Sequence, residues 1–294
     1  MKALLIYNPV SGKSINREAH LGKNILELGA GDIEVTAYQM KEKGDGARYL
    51  QEEDISRYDM VLAGGGDGTL HEIVDGMLKL SEEKRKLIGY LPAGSTNDYA
   101  KNLGINPDNA VDVIINKKIA RLDVGEFNGE HFNYVAACGY FTDLPYSTPQ
   151  DMKNTLGYLA YILEGVKELA DMKSYRIRCE TDSSIIEDDI VVGVIANTLS
   201  VGGVRLKDDL AKLDDGLMEY VFIKYPQNVF DIQNIIFLLM NSRYDPKYMH
   251  YGQSKSFKII SDEMAWTLDG EAGGVASLAN ITTCEKQLEI IVGE

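Results

Sequence analysis

The chain has 294 residues, and its 45 acidic and 30 basic side chains give a formal charge of −15 at pH 7. This balance argues against a nucleic-acid binder, which needs positive charge to replace counterions. Hydrophobic residues make up 45% of the chain, which excludes disorder as its main state. The charge is uneven, because residues 1–127 hold 16 bases and 20 acids (−4), whereas residues 128–294 hold 14 and 25 (−11). The difference indicates two domains.

Strand and helix patterns alternate along the first 125 residues. Short apolar runs predict buried strands at 3–7, 33–38, 60–63 and 87–91. Each run is followed by a predicted helix, at 15–28, 46–53, about 69–78 and 97–103. Such alternation predicts a parallel sheet with helices on both faces. We therefore expect an N-terminal α/β domain over residues 1–125.

The pattern changes after Gly125. Apolar runs separated by acidic turns predict strands at 132–137, 175–180, 190–196, 218–224, 257–261, 265–268 and 288–292. Helices are predicted at 156–172 and 229–240. This arrangement favours a mostly antiparallel β-sandwich as the second domain, over residues 126–285. The C-terminal segment of about 286–294 is a candidate to return to the first domain.

The three cysteines, Cys138, Cys179 and Cys284, are far apart in the chain. They form no CxxC pair, so the sequence predicts neither a structural zinc site nor a disulfide framework. Apolar runs are too short for a signal-peptide core or a bilayer span of roughly 20 residues. We therefore expect a cytoplasmic protein.

Three polar loops follow the ends of predicted strands in the first domain. They are Asn8-Pro9-Val10-Ser11-Gly12-Lys13, Gly64-Gly65-Gly66-Asp67-Gly68-Thr69 and Gly94-Ser95-Thr96-Asn97-Asp98. In open α/β sheets, ligands bind at the carboxyl ends of the strands, so these loops should share one crevice. Glycines let backbone N–H groups approach a phosphate, and the following helix N-terminus favours an anion. Neither the Walker A spacing nor the GxGxxG spacing fits these loops.

Asp67 is an unexpected acid within a phosphate-binding loop. It would be unfavourable there unless a cation lies between it and the phosphate. Phosphoryl-transfer sites hold Mg²⁺ in this way, through carboxylates, phosphate oxygens and waters. Asp98 in the third loop and Asp123 in Leu122-Asp123-Val124-Gly125 are candidate partners of Asp67 at a Mg²⁺ site, directly or through water.

Several blocks resemble the catalytic domain of diacylglycerol kinases, and the soluble bacterial members most closely. Gly65-Gly66-Asp67-Gly68-Thr69 looks like a GGDGT signature, which NAD kinases share and 6-phosphofructokinases carry as GGDGS. Further blocks follow in the family's order: Asn8-Pro9 with Ser11-Gly12-Lys13, Leu91-Pro92-Ala93-Gly94-Ser95-Thr96-Asn97-Asp98, Asn197 with Val201-Gly202-Gly203, Asp214-Asp215-Gly216-Leu217, and Leu268-Asp269-Gly270-Glu271. The resemblance covers nearly the whole chain. It implies an N-terminal domain like that of phosphofructokinase and NAD kinase.

The resemblance also implies roles for particular residues. The ATP pocket would be lined by Asn8, Pro9, Ser11, Gly12, Lys13, Gly65, Gly66, Asp67, Gly68, Thr69, Glu72, Gly94, Ser95, Thr96 and Asn97. Asp67, Asp98 and Asp123 would form a water-linked Mg²⁺ network. A second, structural Mg²⁺ site would use the Asp215 side chain with the backbone carbonyls of Lys212 and Leu217. The catalytic base would be Asp269 or Glu271, with Asp269 favoured.

These features predict an ATP- and Mg²⁺-dependent kinase of diacylglycerol or a similar lipid alcohol. The alternatives are an NAD kinase-like phosphotransferase and a nucleotide-binding regulator without catalysis. A lipid substrate implies peripheral contact with a membrane, through the basic residues Lys84, Arg85 and Lys86 or the apolar helix 229–240. A homodimer is an expectation from the resemblance alone.

Overall fold

The computed structural model describes residues 1–11, 17–140, 172–198, 200–201, 204–205, 212–241 and 243–293. The chain divides into two compact units. The first comprises Met1–Leu122 together with Lys286–Glu294, and the second comprises Asp123–Glu285. Some residues of the sequence prediction lie outside the described residues: Gly12, Lys13, Gly202 and Gly203. The same holds for the predicted helix 156–172, except for Met172.

The first unit is built from alternating strands and helices. Its strands are β1 (Lys2–Tyr7), β2 (Glu34–Gln39), β3 (Met60–Gly65) and β4 (Leu87–Pro92). Its helices are α1 (Arg17–Ala30), α2 (Asp45–Glu52), α3 (Asp67–Leu78), α4 (Asp98–Asn102) and α5 (Ala110–Asn116). A short 3-10 helix, Glu82–Lys84, precedes β4.

The strands of this unit form a parallel sheet in the order β2-β1-β3-β4. Ile290, near the C-terminus, pairs in parallel with Ile88 of β4 and extends the sheet. All six residues of β3 are buried, as expected of a central strand covered on both faces. The predicted parallel sheet and its four strands are thereby confirmed. All the loops that follow β1, β3 and β4 consequently lie at the same edge of this sheet.

The second unit is mostly antiparallel. Its strands are the end of β5 (Ile119–Phe127), β6 (Glu130–Phe132), β7 (Val135–Gly139), β8 (Tyr175–Thr181), β9 (Ile185–Ala196), β10 (Ser200–Val201), β11 (Val204–Arg205), β12 (Met218–Lys224), β13 (Met249–Ser254), β14 (Ser256–Leu268) and most of β15 (Glu271–Ile291). The described residues of this unit contain one α-helix, α6 (Val229–Met240).

Pairing in the second unit runs in the order β13-β12-β9-β7-β14-β15, and β8 pairs with both β9 and β14. Strands β9, β7, β14 and β8 therefore form a closed circuit of antiparallel pairs. Its core includes Phe132, Phe222, Phe257 and Trp266. Large aromatic side chains fill such a curled sheet because each buries a large apolar area.

Several elements differ from the sequence prediction. The short helix α5 and strand β13 were not predicted. The predicted strand 132–137 is divided between β6 and β7, while the predicted strands 257–261 and 265–268 are one strand, β14, whose register with β15 shifts between them. Strand β15 has 21 residues, although only its last part was predicted. The prediction of α6 agrees with the structure at both ends.

Candidate active site

The loops after β1, β3 and β4 meet at one edge of the parallel sheet. The backbone N–H of Asn8 donates to the carbonyl of Gly64 (2.9 Å), and that of Ala93 donates to Gly65 (2.7 Å). A Cβ atom added to Gly94 would lie 2.5 Å from the Cα of Gly66. Only glycine allows this approach between two backbones. The three loops therefore lie next to one another, as the sequence predicts.

Ser11 joins the same arrangement. A Cβ atom added to Gly66 would lie 3.4 Å from the Oγ of Ser11 and 3.2 Å from the Cα of Gly94. Asn8 shapes the loop that carries Ser11, because its Oδ1 accepts from the backbone N–H of Val10 (3.0 Å). The three loops thus form a glycine cradle, which we define as Ser11, Gly66 and Gly94 with their backbone neighbours.

Helix α3 starts at this cradle. Gly66 is its N-cap residue, and the carbonyl of Gly66 accepts from the N–H groups of Thr69 (3.0 Å) and Leu70 (3.2 Å). Thr69 is buried, and its Oγ1 would lie 2.3 Å from a Cβ atom added to Gly65. Gly65 therefore lets Thr69 pack against the loop. The N-terminus of α3 gives the cradle a partial positive charge, which favours an anion.

The third loop is held by Asn97. Its Oδ1 accepts from the N–H of Gly94 (2.9 Å), and its Nδ2 donates to the carbonyl of Gly94 (3.1 Å). Asn97 has a positive φ of 48°, which asparagine tolerates better than most other residues. Ser95 is exposed and Thr96 is partly exposed. Their hydroxyl-bearing segment is therefore accessible to a ligand.

Asp67 connects the glycine cradle to α4. Its Oδ2 accepts from the N–H of Asp98 (2.9 Å), and its Oδ1 accepts from the N–H of Tyr99 (3.2 Å). Asp98 in turn forms an ion pair with Lys101 (3.0 Å). Burial, and secondarily the charge of Asp67, raise the pKa of Tyr90 well above its usual range. Asp67 and Asp98 are thus adjacent, as predicted, although the contact is between a side chain and a backbone group.

Three further residues of this unit, Glu72, Pro9 and Gly68, were predicted to line the ATP pocket. Glu72 accepts, through Oε2, from the N–H of Gly46 in α2 (3.3 Å). Pro9 and Gly68 are partly exposed. Glu72 therefore also has a contact that ties α3 to α2.

Asp123 lies in the second unit and is fully buried. Its Oδ2 accepts from the N–H of Gly216 (2.6 Å), and its own N–H donates to Leu213 (2.8 Å). Its backbone carbonyl accepts from the Nδ2 of Asn197 (2.7 Å). Asp123 therefore anchors the loop that contains Asp215.

That loop, residues 212–217, presents polar groups to solvent. Lys212 and Asp215 are exposed, and Leu217 is partly exposed. The Oδ1 of Asp215 accepts from the N–H of Leu217 (3.1 Å). The Asp215 carboxylate thus lies beside the N–H of Leu217, whereas the predicted cation ligand of that residue is its carbonyl.

A tight turn joins β14 to β15. Asp269 is its first residue, and Glu271 is the first residue of β15. Asp269 and Gly270 both have positive φ values, 51° and 84°, which is typical of a type I′ turn in a hairpin. Leu268 pairs with Glu271 on either side of the turn. The motif thus places two carboxylates two residues apart at the end of a hairpin.

The two carboxylates have very different surroundings. Asp269 is 3% exposed, and its oxygens accept from the backbone N–H groups of Asn133 (2.7 Å), Tyr134 (2.9 Å) and Val135 (3.2 Å). These three bonds tie the hairpin turn to the backbone of residues 133–135. The side chain of Glu271 is partly exposed. Asp269 is therefore enclosed by backbone groups, whereas Glu271 is accessible to solvent.

Two buried polar residues of the second unit, Asn133 and Asn197, were given no role by the sequence analysis. The side-chain oxygen and nitrogen of Asn133 have no hydrogen-bond partner among the described residues, nor does Oδ1 of Asn197. Both residues are at most 1% exposed. Buried polar atoms normally have a partner, and one without calls for a water, an ion or a ligand. Asn197 lies in one of the recognised blocks, whereas no sequence signal distinguishes Asn133.

A glycine cradle at the strand ends of an α/β unit defines a class of phosphate-binding proteins. Comparison with known proteins identifies the family within this class. The family model of the diacylglycerol kinase catalytic domain matches residues 2–127 of the chain. A diacylglycerol kinase of Bacillus subtilis is 30% identical over 278 residues, covering 93% of this chain and 91% of the relative. One from Staphylococcus epidermidis is 32% identical over 294 residues, covering 98% and 91%.

Solved structures share the fold. A protein of Bacillus anthracis superposes with a TM-score of 0.81 at 24% identity, covering 99% of this chain and 97% of the other. The crystal structure of a diacylglycerol kinase from the same organism gives a TM-score of 0.74 at 22% identity, with the same coverage. The chain belongs to the diacylglycerol kinase family, a family of lipid kinases.

Proposed function

We propose that this protein is a lipid kinase that transfers the γ-phosphoryl group of ATP, with Mg²⁺, to the hydroxyl of diacylglycerol or a similar lipid alcohol. The glycine cradle carries the proposal. Gly66 and Gly94 approach each other closely at the start of α3, and the first N–H groups of a helix have no carbonyl partner one turn earlier in the helix. Such an arrangement fits the phosphates of a nucleotide. Family membership supports the lipid as acceptor.

The acidic groups near the cradle fit Mg²⁺. The Asp67 carboxylate, which accepts the backbone N–H groups of Asp98 and Tyr99, offers oxygen atoms of the type that Mg²⁺ prefers. Mg²⁺ is usually bound by one or two carboxylates, phosphate oxygens and waters. When bound, the ion neutralises charge on the transferring phosphoryl group. Asp67 would hold the ion directly or through water, while Asp98 would act through water.

Asp123 and the Asp215 loop suit a structural cation site. The Asp215 carboxylate and the backbone carbonyls of Lys212 and Leu217 supply oxygen ligands, the type that Mg²⁺ prefers. Asp123 would hold the loop in place through its hydrogen bond with the N–H of Gly216. The unpartnered Oδ1 of Asn197, whose Nδ2 binds the Asp123 carbonyl, fits a bound water in the same region.

Glu271 is the better candidate for the catalytic base. A base must accept the hydroxyl proton of the lipid as the phosphoryl group transfers. Asp269 is buried and holds three backbone N–H groups, so it suits a positioning role at the hairpin. Glu271 follows it by two residues and is accessible. Asp269 would thus position the turn that carries Glu271.

Peripheral contact with the lipid surface fits the outward face of α6. Val229, Phe230, Phe237 and Met240 are each more than half exposed. We call these four residues the α6 apolar face. Its helix carries a single charged residue, Asp231, whose Oδ2 accepts from Gln227 and Asn228. An exposed apolar helix face of this kind fits insertion into a bilayer interface.

The surroundings of the α6 apolar face also suit a lipid surface. Residues 225–251 hold two acids and two bases, so their net charge is zero in a chain of charge −15. Arg243 and Lys247 follow the helix, and both are exposed. Tyr244 and Tyr251 stack with ring centres 5.0 Å apart. Tyrosine and basic residues are typical of membrane–water interfaces. Among the described residues, no helix combines the length and apolarity needed to cross a bilayer.

The test is product identity. The protein is incubated with γ-labelled ATP, Mg²⁺ and a panel of lipid alcohols, with NAD as a separate acceptor. We expect label in a phosphorylated lipid and none when Mg²⁺ is removed with a chelator. Labelled NADP without labelled lipid would replace the proposal with an NAD kinase activity. ATP binding without transfer to any acceptor would indicate a nucleotide-binding regulator.

A further inference from the structure

A group of three potential metal ligands lies in the second unit, outside the residues assigned above. Glu126 of β5, His131 of β6 and Cys284 of β15 each present one ligand atom, and these atoms all lie within 4.8 Å of one another. We propose that Glu126, His131 and Cys284 form a binding site for a transition-metal ion of the Zn²⁺ type. The proposal is independent of the kinase function.

The strand pairing brings the three side chains together. Glu126 and His131 are directly opposite each other in the antiparallel pair β5–β6, so their side chains lie on the same face. Strand β15, which contains Cys284, pairs with β5. The ligands thus come from three strands of one sheet. Because Cys284 is more than 150 residues from the other two, no local spacing could have indicated the site.

The separations are close to those that zinc requires. Nε2 of His131 lies 3.9 Å from Oε2 of Glu126. Zinc bonds of about 2.0–2.3 Å in tetrahedral geometry place ligand atoms about 3.5 Å apart. Contraction of the group by less than about 1.5 Å would therefore suffice. The Glu126 side chain is 44% exposed, so it has room to change rotamer.

The ligand chemistry selects the class of metal. A thiolate, an imidazole and a carboxylate form a mixed S, N, O set, which suits Zn²⁺ and disfavours Mg²⁺ and Ca²⁺. With neutral His131, the thiolate and the carboxylate carry two negative charges, which balance a divalent ion. Binding would release the thiol proton of Cys284 to solvent. Three protein ligands leave a fourth position for water.

Cys138, Cys179 and His250 lack the features of this group. Cys138 and Cys179 are buried, and burial raises the pKa of both thiols, that of Cys179 to about 12. They therefore stay protonated at neutral pH. Cys284 is partly exposed. His250 lies 2.8 Å from Asp188, but no cysteine accompanies that pair among the groups formed by the described residues. It provides a matched control.

The first experiment measures zinc affinity on the whole protein. Zinc is titrated against a chromophoric competitor with Mg²⁺ in excess, so that oxygen-ligand sites are already filled. We expect one zinc ion per chain, bound more weakly by at least about tenfold in Cys284→Ser and His131→Gln, since even outer partners of a metal site contribute 10- to 100-fold. His250→Gln should bind as the wild type does. Equal affinity in the wild type and Cys284→Ser would overturn the proposal.

A second readout identifies the sulfur ligand directly. Co²⁺ bound to a thiolate gives a strong charge-transfer absorption in the near ultraviolet. We expect this band in the wild type and in His250→Gln and its loss in Cys284→Ser. If circular dichroism shows that Cys284→Ser is misfolded, Glu126→Gln replaces it in the zinc titration, because the exposed Glu126 side chain tolerates the change. This variant should bind zinc at least about tenfold more weakly than the wild type, and equal affinity would overturn the proposal. A wild-type cobalt complex without the band would also overturn the proposal.

Discussion

The carboxylate of Asp67 accepts a hydrogen bond of 2.9 Å from the backbone N–H of Asp98. The acid that interrupts the glycine loop thereby fixes the loop after β4 as well. One side chain thus links two of the three loops that form the glycine cradle. The Asp67 carboxylate has two roles in the proposed function. Its oxygens accept hydrogen bonds from backbone N–H groups, and its negative charge attracts a cation towards the phosphates.

Replacing Asp67 with Asn tests both uses. An amide keeps one acceptor, but its NH₂ group faces a backbone N–H and the charge is lost. We expect turnover to fall by at least about 100-fold, with a loss of about 1–3 kcal/mol in the free energy of unfolding. Kinase assays across a range of Mg²⁺ concentrations and denaturant unfolding measure the two effects.

The matched control is Asp75→Asn on the same helix. Asp75 pairs with Lys79 (2.7 Å), so this change also removes a charge and an ion pair from α3. It should destabilise the protein without a comparable loss of turnover. Wild-type turnover in Asp67→Asn would contradict the role given to Asp67.

Gly94→Ala tests the approach of the loops. The added Cβ would lie 2.5 Å from the Cα of Gly66, which is backbone and cannot rotate away, so one loop must move. We expect weaker ATP binding, measured as the loss of the rise in melting temperature that ATP gives to the wild type. Gly29→Ala in α1 is the control, because nothing lies within 4 Å of its added Cβ. Equal protection by ATP in both variants would show that the cradle does not hold the nucleotide.

The edge of the parallel sheet was predictable because its signals are local. Each buried strand is a short apolar run, and glycines stand where the strands end. The roles of Asp269 and Asp123 were not predictable in the same way. The N–H groups that Asp269 binds lie about 135 residues earlier in the chain, and the loop that Asp123 anchors lies about 90 residues later. Sequence patterns show where the acidic residues are, but they do not show which distant backbone N–H groups donate hydrogen bonds to them.

Long strands were also poorly predicted, for a physical reason. Strand β15 has many exposed residues, including Gly274 and Asn280. Because glycine and asparagine are depleted in strands, only the apolar end of β15 gave a signal. Strand pairing with β14 and β4 overrides that local preference.

Glu271→Gln and Asp269→Asn separate catalysis from positioning. We expect Glu271→Gln to lower kcat by about 100-fold or more, since it removes a general base, with little change in stability. Asp269→Asn should mainly destabilise the fold, because it weakens a buried carboxylate that holds three backbone N–H groups. Denaturant unfolding and kcat are measured on both variants. A stable Asp269→Asn protein without activity, beside an active Glu271→Gln protein, would make Asp269 the base.

Asp45 gives a prediction about pH. It is 2% exposed, and burial alone would raise its pKa. The Asp45 carboxylate accepts hydrogen bonds from the Lys41 N–H (2.8 Å) and the Tyr38 hydroxyl (3.0 Å), and it forms an ion pair with Arg48. These contacts outweigh the effect of burial and hold the pKa of Asp45 below its ordinary value. Asp45 therefore contributes stability above the ordinary pKa of about 3.9, and this contribution is lost as the pH falls through its folded pKa.

Asp45→Asn should accordingly lower the free energy of unfolding by about 1–3 kcal/mol at pH 7. The difference from the wild type should shrink as the pH falls below about 4. Denaturant unfolding at several pH values measures it. The exposed Glu53→Gln, just beyond the end of α2, should show little effect at any pH. A constant difference between Asp45→Asn and the wild type over this range would mean that the Asp45 charge is not the cause.

The α6 apolar face gives a prediction that separates membrane docking from chemistry. Phe230→Gln together with Phe237→Gln removes the two most bulky exposed side chains of that face. We expect weaker binding to vesicles that contain diacylglycerol, because apolar area no longer enters the interface. Phosphorylation of a water-soluble short-chain diacylglycerol should be unchanged, since it requires no docking. Sedimentation with vesicles and kinase assays with both substrates measure the two effects.

Ile185→Gln is the matched control for α6, because Ile185 is also more than half exposed but lies on β9. It should bind vesicles as the wild type does. The double variant also distinguishes a lipid surface from a second copy of the chain. If the α6 apolar face is instead the interface of a homodimer, the variant will sediment as a smaller species in lipid-free buffer, and vesicle binding will not be its primary defect. Loss of activity on the soluble substrate as well would mean that α6 contributes to the kinase site itself.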